Sequence, residues 1–332
     1  MLDRDIPFSL WLDFVERDFI KTKFVELIEK RIINGATSNP SIFASAIMHS
    51  PAYKEQLASL EGKSAKEKYE ALAIEDIKLA AQALRPLYDE GHDGYISIEV
   101  DPFLSHDTKA TVREAKRLFR AIGEPNVMIK IPATPEGYSA MRQLLSTGIS
   151  VNATLIFSLL QAKKCLRAMK KGLSVFENSG GRRARGVISV FVSRFDRVLD
   201  PKLEALGIET AKTGIYNAAR IYNMIEESHT PSVRALFAST GVKEGEKLPE
   251  DYYISELYAS HAVNTAPLRT IYAYMEHPQE SFVLPIDKSI ISAHFAKLKN
   301  AGIVMSEVYE TLLEEGLRSF EVSFGQMLES LK

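Results

Sequence analysis

Eight short apolar runs, most of them closed by a proline, a glycine or a polar residue, alternate with helical patterns along this chain. The runs fall at 8–14, 35–39, 94–100, 127–131, 149–156, 186–192, 232–240 and 262–266. Helical spacing of apolar residues marks Phe19, Phe24, Leu27, Ile28 and Ile32, then 51–90, 107–121, 136–146, 159–176, 208–228 and 252–261. Strands that alternate with helices imply a parallel sheet. Right-handed crossovers then leave either an open doubly wound sheet or a closed barrel. No Gly-x-Gly-x-x-Gly follows the first run, which argues against a dinucleotide-binding half. Eight runs favour a (β/α)8, or TIM, barrel. No linker-like composition shift interrupts the pattern, so the expectation is one barrel domain over 1–332. From about 285 it carries a helical extension, with Leu312, Leu317, Phe320 and Leu328 in its apolar set.

Composition narrows the function. With 332 residues, 45% hydrophobic and 25% charged, the chain matches ordinary soluble globular proteins. A net charge of −2 gives no basic footprint for nucleic acid. The cluster Arg182-Arg183-Ala184-Arg185 reads as a solvated loop before a strand. The one cysteine, Cys165, permits no internal disulfide and no cysteine-based zinc site. No apolar run reaches membrane-spanning length. Asp3, Arg4 and Asp5, with no apolar segment behind them, do not resemble a signal peptide. A cytoplasmic location is expected.

The fourth run contains the residue that asks for an explanation. In Asn126-Val-Met-Ile-Lys-Ile-Pro132, Lys130 interrupts a strand of buried character, and lysine is almost never fully buried unless paired. One explanation is a reactive amine. Burial disfavours the ammonium form, and a free amine can form a Schiff base with a carbonyl substrate. The other is an outward strand position, with the stem covered and the head in water. Lys130 is not isolated, however. Asp13, Asn39, Glu99, Asn152, Thr154, Ser189 and Ser239 also fall in or near the carboxyl ends of strand-like runs, where barrel enzymes place their catalytic groups. Schiff-base chemistry needs carboxylates to dehydrate a carbinolamine and to move the proton of a substrate hydroxyl. Glu99 and Asp13 are the candidates. Asn39 and Asn152 can orient hydroxyls. Arg194 and Lys243, just after the sixth and seventh runs, can hold an anionic group such as phosphate.

Two motifs then carry a family resemblance over most of the chain. Gly35-Ala-Thr-Ser-Asn-Pro-Ser-Ile-Phe43 is similar to the N-terminal signature of transaldolases. Val127-Met-Ile-Lys-Ile-Pro-Ala-Thr-Pro-Glu-Gly137, followed by Gly148-Ile-Ser-Val-Asn-Ala-Thr-Leu-Ile-Phe-Ser158, is similar to their active-site signature. The resemblance implies transfer of a dihydroxyacetone unit between sugar phosphates in the non-oxidative pentose phosphate pathway, with no metal or organic cofactor. It implies that Lys130 is the Schiff-base lysine and that Glu99 with Thr154 holds a catalytic water. Asp13 corresponds to the acid/base on the C4 hydroxyl, and Asn39 and Asn152 to the binders of the dihydroxyacetone moiety. Ser189 and Phe191 correspond to sixth-strand substrate contacts and Arg194 to a phosphate arginine. The chain departs from the family at Ala238-Ser-Thr-Gly-Val-Lys243, where better-known branches have Ser-x-Arg. Lys243 is assigned to phosphate there, with Ser239 assisting; lysine supplies the charge but not the bidentate fork.

Three other readings compete. A fructose 6-phosphate aldolase shares the lysine chemistry, but that branch is shorter and has tyrosine where this chain has Glu99. A metal-dependent sugar-phosphate enzyme needs clustered ligands, and no two of the seven histidines lie at ligand spacing. A non-catalytic binding protein does not account for Lys130, Glu99 and Asp13 together. The oligomeric state is left open as monomer or homodimer.

Overall fold

Each of the eight runs forms a strand, and the strands close on themselves. The structure is a computed structural model that describes residues 8–181, 183–243 and 245–332; Asp3, Arg4, Asp5 and Arg182 lie outside them. The strands are β1 (Phe8–Asp13), β2 (Gly35–Thr37), β3 (Tyr95–Glu99), β4 (Val127–Pro132), β5 (Ser150–Ile156), β6 (Gly186–Phe191), β7 (Val233–Ala238) and β8 (Ala262–Ala266). All neighbours pair in parallel, and β8 returns to β1. Helices surround the barrel, so most strands are buried on both faces. That is why they read as continuous apolar runs rather than alternating ones.

Local chemistry sets the helix ends. Ser64 and Glu67 form a reciprocal capping box that starts the helix Ala65–Glu90, and Gly91, at φ +82°, ends it. Ser158 and Gln161 start Leu159–Asn178 in the same way. The helix Ser193–Ala205 was not expected. It follows β6 directly, with Val192 at its cap position making no side-chain bond, and it contains Pro201. It therefore lacks the usual start signal. The expected 208–228 helix begins only at Thr213, and the 252–261 segment is helical only over Tyr252–Ser255. The C-terminal extension is two helices, Lys288–Asn300 and Met305–Ser330, separated by a turn in which Gly302 adopts φ +76°.

The N-terminal end of the barrel carries a buried polar network. Trp11 is fully buried, and its Nε1 donates to Asp93 at 2.7 Å. Arg234 pairs with the other oxygen of Asp93 at 2.6 Å and donates to Ser9 at 3.0 Å. Gly35 makes room for the indole: a Cβ there would lie 2.3 Å from Trp11 Nε1. The opposite, C-terminal end is left to the polar residues at the strand ends.

β5 carries one irregularity that matters for that end. Its pairing with β6 slips by one residue between Ala153 and Ile156, and Leu155 adopts φ +58°. An extra residue in a strand bends it and re-aims its side chains. Here the bulge brings Leu155 against the C-terminal helix: a Cβ added to Gly316 would meet Leu155 Cδ2 at 2.8 Å.

Candidate active site

Lys130 occupies the centre of a row across three strands. Parallel pairing sets Glu99 of β3 beside Lys130 of β4, and Lys130 beside Asn152 of β5. Neighbours in register point to the same face of a sheet. The three are only 6%, 6% and 0% exposed. The outward reading of Lys130, with its head in water, is thereby excluded. Its Nζ lies 3.5 Å from Glu99 Oε2 and donates to the Ser38 carbonyl at 3.2 Å. Asn152 donates through Nδ2 to Ser97 Oγ at 3.0 Å and accepts from Ser189 Oγ at 2.6 Å.

Two members of the site keep unused hydrogen-bonding capacity. Neither carboxylate oxygen of Glu99 makes a hydrogen bond among the described residues, and neither does Thr154 Oγ1; all three are buried. Buried polar atoms are normally paired. Glu99 and Thr154 therefore have the capacity to hold a water or a substrate hydroxyl. Asp13, partly buried at the end of β1, accepts from Thr37 Oγ1 at 2.6 Å, and Thr37 in turn meets Thr265 Oγ1 at 2.6 Å.

Burial shapes the electrostatics. Loss of solvent pushes the Glu99 carboxyl up to about 7, against the pull of Lys130, and the Asp13 charge adds to the rise. Burial also raises Asp13 above the ordinary aspartate range, while Lys130 and the Thr37 bond oppose it. A carboxyl near 7 can both give and take a proton at neutral pH. The same shift has a stability signature. A folded-state pKa raised from 4.5 to about 7 means that the folded form favours the protonated group. The associated stability is present below pH 4.5 and lost as pH rises through about 7. Thermal melts of wild type and Glu99→Gln at pH 5 and pH 8 should therefore diverge. The variant should gain on wild type at the higher pH by at most about 3 kcal/mol; a constant difference would rule out the raised carboxyl.

The remaining expected residues line the rim. Asn39 caps the helix Pro40–His49, its Oδ1 accepting from Ile42 N–H at 3.1 Å; its Nδ2 is the amide group left for a ligand. Phe191 is buried, with Phe157 at 5.3 Å and the Arg194 guanidinium 5.0 Å above its ring. Arg194 is half-buried, and no ion pair or hydrogen bond joins it to the described residues. Burial, then the nearby Arg197, lowers its pKa from the ordinary arginine value. Ser239 sits beside the start of the same helix, its Oγ 3.0 Å from Ser193 Oγ. Lys243 is exposed; its backbone N–H donates to Glu246 Oε2 at 3.0 Å. Lys130, Glu99 and Thr154 thus join Asn152 and Ser189 in one interior group, and Arg194 with Ser239 forms a second group at the start of Ser193–Ala205.

Four contributors were not singled out from the sequence. Thr37 and Ser38 sit in a quoted motif and Ser97 in the third apolar run, but their partners come from other parts of the chain. Phe320 comes from the C-terminal helix, its ring centroid 5.4 Å from Lys130 Nζ. Cys165 is fully buried, and burial pushes its thiol up, away from nucleophile behaviour. A cavity of about 670 Å³ opens at the N-terminal mouth beside Tyr88, Asp93, Arg183 and Arg234; none of the expected site residues lines it.

Comparison with known proteins agrees with this geometry. Residues 10–331 match the family described as Transaldolase/Fructose-6-phosphate aldolase. A transaldolase of Campylobacter jejuni subsp. doylei is 46% identical over 334 residues, spanning 98% of this chain and 99% of that protein. A transaldolase of Helicobacter pylori (strain Shi470) is 44% identical over 324 residues, spanning 97% of this chain and 99% of that protein. With its parallel barrel and near-complete match to these relatives, the chain is an enzyme of the transaldolase/fructose-6-phosphate aldolase family.

Proposed function

We propose that the enzyme transfers a dihydroxyacetone unit from a ketose phosphate to an aldose phosphate through a Schiff base on Lys130. The donors are sedoheptulose 7-phosphate or fructose 6-phosphate. The acceptors are glyceraldehyde 3-phosphate or erythrose 4-phosphate, which places the reaction in the non-oxidative pentose phosphate pathway of the cytoplasm. The observation that carries this reading is the row Glu99–Lys130–Asn152, sealed inside the barrel with an amine at its centre.

The chemistry follows from these groups. Lys130 passes its proton to Glu99, and the amine so freed adds to the C2 carbonyl of the ketose to give a carbinolamine. Glu99, with Thr154, holds the water that carries a proton to the departing hydroxyl, and the iminium forms. Asp13 takes the proton of the C4 hydroxyl, and the C3–C4 electrons move into the iminium as the aldose leaves. The resulting enamine attacks the aldehyde of the acceptor while Asp13 returns its proton. Water then adds to the new iminium and frees the lysine. Asn39, Asn152 and Ser189 orient the hydroxyls of the three-carbon unit. Arg194, Ser239 and the start of the helix Ser193–Ala205 bind phosphate, as helix N-termini favour anions, with Lys243 on the neighbouring loop.

Borohydride reduction in the presence of fructose 6-phosphate, followed by peptide mapping, tests the reading. A dihydroxyacetone adduct on Lys130 is expected. An adduct on another lysine, or none in active protein, would reject it. Plain fructose 6-phosphate aldolase activity is the second reading. It is disfavoured by Glu99 at the water-holding position, where the aldolase branch carries tyrosine.

A further inference from the structure

The proposed reaction needs something that the interior row does not supply. Between the departure of one aldose and the arrival of the next, the enzyme holds an enamine. If C3 of that enamine takes a proton from water, an iminium of dihydroxyacetone results. The remaining hydroxide adds at C2, the carbinolamine expels the Lys130 amine, and dihydroxyacetone escapes with one water consumed. In productive transfer, the C3 electron pair instead forms a bond to the acceptor aldehyde. Which branch is taken depends on access of water to the lysine-bound three-carbon unit.

The C-terminal helix Met305–Ser330 covers this place. Its Phe320 is 6% exposed and sets its ring 5.4 Å from Lys130 Nζ. The helix approaches closely because residue 316 is glycine: any Cβ there would collide with Leu155 at 2.8 Å and come within 3.4 Å of Arg194 Nη1. It is fastened on both sides of Phe320. Arg220 donates to Tyr309 Oη at 2.6 Å, with its guanidinium 4.1 Å above the Phe295 ring. Beyond Phe320, Ser323 Oγ accepts from Ser41 at 2.8 Å, and Phe324 packs edge-on against Tyr69 at 5.2 Å. A helix held this way gives Phe320 a fixed position. Its ring is apolar, has no proton to donate and presents a face attractive to a cation.

We infer that Phe320 is a specificity-determining residue that directs the Lys130-bound enamine toward transfer and away from hydrolytic release. The inference rests on the Schiff-base reading above. Glu99 and Thr154 retain the one water needed for imine hydrolysis at C2, and the Phe320 ring keeps further water from C3.

The test is a partition ratio: free dihydroxyacetone released per sedoheptulose 7-phosphate formed, from fructose 6-phosphate and erythrose 4-phosphate. The ratio counts only turnovers, so it does not depend on how much of a variant folds. Phe320→Ala is expected to raise it about tenfold, the scale of a lost steric barrier to a competing reaction. Phe320→Leu, which restores apolar bulk without the ring, should stay within about threefold of wild type. Arg220→Met, which loosens the helix from a distance, should move the ratio in the same direction as the alanine variant. An unchanged ratio in both Phe320→Ala and Arg220→Met, with wild type trapping on Lys130, would overturn this inference alone. Failure of wild type to trap an imine on Lys130 would instead overturn the Schiff-base reading beneath it.

Discussion

Lys130→Met is expected to lower kcat by on the order of 10⁵-fold or more, the scale seen when a covalent nucleophile is removed. It should also abolish the borohydride-trapped adduct while leaving the fold intact. The last point is not obvious, because breaking a buried ion pair often unfolds a protein by stranding a charge. Here the stranded partner can neutralise itself. Glu99 is already held at about 7, and Lys130 is one of the influences that keep it from rising further. Without the ammonium it becomes a neutral acid at pH 7, and methionine fills the same volume. Melting followed by circular dichroism should place the variant within a few degrees of wild type. Appreciable turnover, or an adduct moved to another lysine, would sink the assignment.

Asp13→Asn should separate the two halves of the reaction. The asparagine Oδ1 can still accept from Thr37, so the local hydrogen bond that holds the side chain at 2.6 Å is retained. The lost function is proton transfer, which contributes about 10²–10⁴-fold in positioned acid–base catalysis. Trapping of fructose 6-phosphate on Lys130 should stay within about threefold of wild type, while carbon–carbon cleavage falls by the larger factor. Wild-type cleavage rates would remove Asp13 from the mechanism. Loss of trapping along with cleavage would assign it instead to imine formation.

Much of the barrel was legible because each strand is covered on both sides. Runs such as Val127–Pro132 announce themselves as apolar, and a lysine within one stands out. The candidate site residues stood out for the same reason: polar groups at the carboxyl ends of buried strands have few structural reasons to be there. Other features had no such contrast. Phe320 lies on the apolar side of a helix, where an active-site ring and a core ring look alike. Leu155 bears a positive φ that a leucine rarely adopts, so nothing in its identity marked the bulge. The helix Ser193–Ala205 lacks a capping side chain, and it sets Arg194 at its start with Ser239 across the gap. The network of Trp11, Asp93 and Arg234 joins residues from three distant parts of the chain, and only closure of the barrel brings them together.

That network has an optical consequence. Trp11 is the sole tryptophan among 332 residues, so intrinsic indole emission from this enzyme has one source. Its Nε1 is bonded to a carboxylate and its ring is pressed against Gly35, which fixes its surroundings at the N-terminal end of the barrel. Fluorescence therefore reads the integrity of that end and is blind to displacement of the C-terminal helix at the other. A variant whose emission is native while its dihydroxyacetone leakage rises has an opened roof over an intact barrel, and the two signals can be read from the same cuvette.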